Sequence, residues 1–202
     1  MAMILKAYLM NTNKRGSNDM KNFILSATQN MSKAVYDCNG HCASTLKPLL
    51  MSLKNCEDEI VKITIVNPFN GDQAIAPLID EIDEIKSKIN LTCKLQIVNF
   101  SFDEDKLQFI ESMLNQIDDE DTIYCDLTKC TLNLALSIFT FLIYAYIFKH
   151  ACIETIIYGQ LGSYHDIGRV VNITNLLDIN TTLLWMKGDE KDFINKIRSI
   201  IE

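Results

Sequence analysis

The sequence is short of the residues that punctuate flexible chains, with 7 Gly and 3 Pro among 202 residues. That scarcity excludes a flexible linker or low-complexity tract, and no internal repeat is visible. Arginine is scarce too: Arg15, Arg169 and Arg198 are all there are, and 19 basic against 26 acidic residues give a formal net charge of −7. Such a surface repels long nucleic acid unless its few cations cluster, whereas a small phosphate ligand needs one local pocket. There is no glycine-rich dinucleotide fingerprint and no Walker-type phosphate loop, which argues against a dinucleotide dehydrogenase and a P-loop NTPase. No Gly-x-Ser-x-Gly elbow occurs, so a hydrolase triad is not expected. The apolar run Met3–Met10 is too short for a signal peptide and no small-residue cleavage site follows it, so the expected location is the cytoplasm.

What is present is a globular composition, 48% hydrophobic and 22% charged, long enough to bury a core without disulfides or metals. The 7 Cys are odd in number and scattered, which reads as reduced thiols. The tightest group, Cys38-Asn39-Gly40-His41-Cys42, can offer three zinc ligands. No second pair lies at zinc-site spacing, so neither a metal nor another cofactor is expected. Leu132–Phe148 is almost continuously apolar but spans only 17 residues and includes Asn133, Ser137, Thr140, Tyr144 and Tyr146. That is short for a bilayer span, so it reads as a buried or subunit-interface helix, with a membrane anchor or structural role as the alternative.

Along the chain, strand-like and helix-like patterns alternate. Met3–Met10 reads as a strand and Met20–Tyr36 as a helix, from apolar residues at Phe23, Ala27, Met31 and Val35. Cys38–Ser44 is a polar break, followed by a short helix at Thr45–Leu53. Glu59–Val66, Thr92–Phe100, Asp121–Asp126 and Cys152–Tyr158 read as strands. The helices between them are Asp72–Ile89, one opening at Ser101–Glu104 and carrying Leu107, Ile110, Leu114 and Ile117, and Thr131–Phe148. Gly168–Thr174 reads as a last strand, antiparallel at an edge, and Leu176–Trp185 and Lys191–Ile201 as closing helices. The pattern predicts a Rossmann-like, doubly wound α/β fold: a mainly parallel sheet of about six strands with helices on both faces. Its ligand crevice should lie at the carboxyl ends of the strands.

That placement singles out four loops: Asn11–Ser17, Asn67–Gly71, Asp126–Thr131 and Gly159–Ser163. The first offers Asn11, Thr12, Asn13, Lys14, Arg15 and Gly16, donors and cations that suit phosphate oxygens as well as they suit a solvated turn. In the third, Thr128 or Thr131 can cap the following helix, whose first-turn amides attract anions, and Lys129 adds a cation. His150 ends the apolar helix, where a cation suits the dipole, and His165 lies in a loop between Tyr164 and Asp166.

The run Asp126-Leu127-Thr128-Lys129-Cys130-Thr131, a long apolar helix and then Ile156-Ile157-Tyr158-Gly159 resembles the CARF (CRISPR-associated Rossmann fold) domain family. There a strand ends in Asp-hydrophobic-Thr, a glycine-containing turn leads to Thr and a long helix, and the next strand often ends in Tyr-Gly. Val170–Leu177, followed by Trp185, is similar to that family's exit from the domain. The likeness spans nearly the whole chain in pattern. Three positions depart from it: Lys129-Cys130 replaces the usual glycines, and Leu132 stands where a basic residue is common, which transfers the basic function to Lys129.

The resemblance implies a homodimer with one composite site across its two-fold axis. The ligand would be a cyclic tetra- or hexa-adenylate, the second messenger of type III CRISPR immunity, and the apolar helix would help form the dimer core. Asn11, Thr12, Asn13, Lys14, Asn67, Asp126, Thr128, Lys129, Thr131, Gly159 and Gln160 would line the site. Residues 1–178 would be the sensor domain of an antiviral effector, and 179–202 a helical extension. No Arg is followed by His at the four-to-six-residue spacing of the ribonuclease domain that many relatives carry, so the chain would be a stand-alone sensor or a fragment of a longer effector. The alternative is a metal-independent ring nuclease, in which a ribose 2′-hydroxyl attacks its own phosphate while Lys129 stabilises charge and Thr12 orients the reacting groups.

Overall fold

The computed structural model describes residues 21–27, 36–38, 41–43, 60–69, 75–89, 92–101, 106–128, 130–160 and 168–185. Phe23, Ile24 and Leu25 are consecutive and none is more than 1% exposed. A strand covered on both faces buries consecutive side chains, and these three lie in β1 (Lys21–Ser26). The helix expected over Met20–Tyr36 is therefore corrected at its start. The four-residue spacing from Phe23 to Ala27 mimics a helical stripe, but Ile24 and Leu25 fill the gap with apolar surface that a one-sided helix would expose. The strand expected at Met3–Met10 and the helices expected at Thr45–Leu53 and Lys191–Ile201 lie outside the described residues.

Seven more strands follow in chain order: β2 (Tyr36–Cys38), β3 (His41–Ala43), β4 (Ile60–Asn67), β5 (Thr92–Asn99), β6 (Thr122–Asp126), β7 (Cys152–Gln160) and β8 (Gly168–Asn172). They make one eight-stranded sheet ordered β3-β2-β8-β7-β6-β1-β4-β5. The six-stranded expectation is thus met from β8 to β5, and a hairpin extends it. That hairpin replaces the expected polar break, with Cys38 paired to His41 across the intervening Asn39-Gly40. Asn-Gly between two short runs is the commonest two-residue hairpin signal. The pairs β1–β4, β1–β6, β4–β5, β6–β7 and β2–β8 are parallel. Strand β8 is antiparallel to β7, as expected, but it is internal rather than at an edge, because β2 pairs with its other side.

Four helices are described: α1 (Ala76–Ile89), α2 (Lys106–Leu114), α3 (Leu132–Phe148) and α4 (Asn175–Trp185). Side chains alternate between the two faces of a strand, and so does the core. Phe23, Leu25, Val61, Ile63 and Ile65 pack with Leu78 and Ile82 of α1 on one face, where the rings of Phe23 and Tyr124 stack at 4.7 Å. Ile24, Val66, Val98, Ile123 and Ile156 pack with residues of α2, α3 and α4 on the other. On α2 the buried stripe is Phe109, Ile110 and Met113, while Leu107 faces outward, a rotation from the expected stripe. Helix α3 buries Leu134, Ile138, Phe141, Leu142 and Ala145, and each large side chain among them contributes about 1.5–3 kcal/mol. No helix among the described residues is long and apolar enough to cross a membrane. Helix α4 runs through position 178, the expected domain boundary, and residues 186–202 lie outside the described set.

Candidate functional site

The strand order reverses beside β1. After β1 the chain forms the edge pair β2 and β3, adds β4 and β5 on one flank of β1, then returns to the other flank as β6 and builds outward through β7. In open α/β sheets the connections diverge to opposite faces at such a point and leave a crevice at the carboxyl ends. Here it lies between the ends of β1 and β6, so its walls start at Ser26-Ala27 and at Asp126-Leu127-Thr128.

On the β6 side, Asp126 is 4% exposed and its Oδ1 accepts the Thr128 N–H at 2.7 Å. This side-chain-closed turn bends the chain out of the strand. Thr128 Oγ1 in turn accepts the Gly159 N–H at 2.7 Å, tying the end of β6 to the end of β7. The backbone link from Leu127 N to Ile157 O at 2.9 Å continues that join. Cys130 N–H closes a turn on Leu127 O at 3.2 Å, and Thr131 then caps α3 by accepting the Leu134 N–H at 3.4 Å. Of the two candidate caps, Thr131 takes the role and Thr128 serves as the inter-strand tie. The amino end of α3, with its partial positive charge, opens at the crevice.

On the other side, Ala27 N–H donates to Val66 O at 2.8 Å, and Asn67 ends β4 at 3% exposure. Asn67 Oδ1 accepts the Phe69 N–H at 3.2 Å and its Nδ2 donates to Asn99 Oδ1 at 3.4 Å, so this side chain shapes the Asn67-Pro68-Phe69 turn. Burial pushes the Cys130 thiol up to about 12; the nearby Ser26 hydroxyl opposes the rise and the Asp126 charge adds to it. Burial also raises Cys125 well above the ordinary thiol range. Both therefore stay protonated near neutral pH and are poor nucleophiles.

Of the sequence-derived residues, the structure gathers Asn67, Asp126, Thr128, Thr131 and Gly159 at the carboxyl ends of the strands, where Gln160 ends β7 opposite Arg169. Asn11, Thr12, Asn13, Lys14 and Lys129 lie outside the described residues. On the other wall, β1 leads into the crevice at Ser26-Ala27, which the sequence reading did not single out. The Phe-Ile-Leu run ending in Ser, read as a buried parallel strand, would have found them.

The chain is similar to a CRISPR-associated protein of Methanocaldococcus jannaschii. The two are 26% identical over 117 residues, which is 53% of this chain and 18% of that protein. The chain thus spans under a fifth of the length of the curated relative it matches. No family model matches the chain. The likeness supports a CRISPR-associated family.

Proposed function

We propose that the crevice between β1 and β6 binds a cyclic oligoadenylate at a homodimer interface, and that residues 1–178 act as the sensor domain of a type III CRISPR antiviral effector. The observation that carries this reading is the Asp126–Thr128–Gly159 arrangement. It puts a closed polar turn and the amino end of a long helix beside the topological switch point, in a chain with a CRISPR-associated relative. Lys129, Lys14 and Thr12 supply cationic and hydroxyl contacts in this reading, and Asn and Gln side chains read adenine edges.

The dimer is supported by the outward side of α3. Leu132, Leu136, Tyr144 and Phe148 are 74%, 57%, 39% and 66% exposed and stand at four-residue intervals with Thr140 between them. Such a row is an i±4 ridge, the commonest element of helix–helix packing. It starts one residue after Thr131, so a two-fold copy seated on it brings two crevices together.

The test is incubation of the purified chain with cyclic tetra- and hexa-adenylate in EDTA, read by calorimetry and chromatography. The expected result is one intact ring bound per two chains, with Leu136→Glu lowering affinity roughly tenfold or more by splitting the composite site. Linear product would make the protein a ring nuclease, with Lys129 and Thr12 as the residues to substitute next. Binding of neither ring would overturn the reading.

A further inference from the structure

Strands β4 and β5 both end in asparagine, and Asn67 and Asn99 are register partners at the carboxyl edge of the sheet. Partners in a parallel ladder point to the same face, so the two side chains lie side by side. Asn67 is 3% exposed, whereas Asn99 is exposed. The orientation of each amide follows from its hydrogen bonds. Asn67 Oδ1 accepts the Phe69 N–H at 3.2 Å, a role its nitrogen cannot fill. Its Nδ2 donates to Asn99 Oδ1 at 3.4 Å, a long bond but one with a fixed direction. The opposite orientation of Asn99 would set one amino group against another. Asn99 therefore presents a defined pair: an Nδ2 amino group with no acceptor among the described residues, and beside it an oxygen with one lone pair still open.

We propose that Asn99 is a specificity-determining residue that reads one adenine of the bound ring, its Nδ2 donating to N7 and its Oδ1 accepting from the N6 amino group. This rests on the cyclic-oligoadenylate reading above. The pairing is the bidentate one by which an asparagine distinguishes adenine. Guanine and hypoxanthine carry an oxygen where adenine carries N6, so the same edge would set an acceptor against the Asn99 oxygen, whose position Asn67 fixes. By strand spacing Asn99 lies about 10 Å from β1, on the flank away from β6. That offset suits a base splayed outward from a ring whose phosphates sit at the crevice. The two residues after Asn99 hold a cation nearby: Lys106 Nζ stands 4.6 Å from the centre of the Phe100 ring and donates to Ser101 O at 2.8 Å. A positive charge there suits the phosphate of the same nucleotide.

The test is calorimetric titration of the full chain with whichever of cyclic tetra- and hexa-adenylate the wild type binds, and with the same ring built from inosine. The wild type should bind the inosine ring about tenfold or more weakly. Asn99→Ala should lower affinity for the adenylate ring about tenfold and bring the two rings to within about threefold of each other. Asn99→Asp keeps the shape but puts an acceptor in place of the donor, and should bind the adenylate ring no better than Asn99→Ala. Thermal melting checks that each variant is folded, which the exposed position of Asn99 favours. Unchanged adenylate affinity in either variant, an equal loss for both rings, or a wild type that does not tell the rings apart overturns the proposal and leaves the ring-binding reading intact. A wild type that binds neither adenylate ring overturns both.

Discussion

The two ends of the parallel sheet are both stitched with buried polar groups, but with different chemistry. At the amino end a carboxylate is the hub. Asp121 Oδ2 accepts the Asn22 Nδ2–H at 2.6 Å and the Asp118 N–H at 2.8 Å, and Asp121 O accepts the Cys152 N–H at 2.8 Å. Beside it, Lys62 Nζ donates to the Gln116 carbonyl. At the carboxyl end the ties run through a hydroxyl and short side-chain-closed turns, from Asp126 to Thr128 to Gly159 and from Asn67 to Phe69. A hydroxyl both donates and accepts and can turn to a new partner that replaces the old one, whereas a buried carboxylate serving two donors cannot be moved without stranding them. The amino end is built to stay closed, and the carboxyl end to exchange partners.

The largest expected effect tests the rigid end. Asp121→Ala deprives one buried and one partly buried donor of their acceptor and should lower unfolding free energy by about 2–4 kcal/mol in denaturant titrations. Ring affinity of the folded fraction should stay unchanged; a matching loss of affinity would erase the distinction between the ends. Next comes the carboxyl end. Thr128→Val keeps the shape but orphans the Gly159 N–H, for about 1–3 kcal/mol in stability, and it should weaken ring binding as well, with Thr128→Ser retaining both. The smallest effect is a pH dependence. Burial holds the Asp121 carboxyl above the usual carboxylate range, and the charge of Asp118 adds to this. The bonds from the Asp118 amide and Asn22, and the charge of Lys62, pull the other way. A folded-state value raised above the unfolded one gives stability that is present below the unfolded value and is lost as pH rises through the folded value. The stability of the wild type relative to Asp121→Asn should therefore fall from acid toward neutral pH, read as the difference between their denaturation midpoints. A flat difference would mean that the carboxylate is better solvated than its burial indicates.

Most of the fold was legible where pattern and environment agree. Strands β4, β5, β6 and β7 and helix α3 fall within a residue or two of their expected bounds, because β-branched runs and a long apolar helix have few other ways to bury themselves. Strand β1 was illegible to periodicity because a strand covered on both faces has no polar side to alternate with. That error carried into the site, since it left Ser26-Ala27, at the end of β1, out of the loops singled out. The β6 half was legible because Asp126, Thr128 and Thr131 act through local turn and cap chemistry written within six residues. The pairing of β1 with β6, which sets the two walls of the crevice side by side, joins distant segments that no local pattern links.

The central place of β1 also bears on how the protein is made. Asn22 meets Asp121 99 residues later in the chain, and β1 is flanked by β4 on one side and β6 on the other. At roughly 5–20 residues per second of synthesis, the first of these three strands to leave the ribosome waits about 5–20 s for the last. Through that interval Phe-Ile-Leu, the most buried run of the finished sheet, has no complete home. Nascent chains of this protein should therefore be clients for holdase chaperones until Asp126 has emerged, and folding should be slow for the chain's size, since the pairing that completes the core is among its most distant.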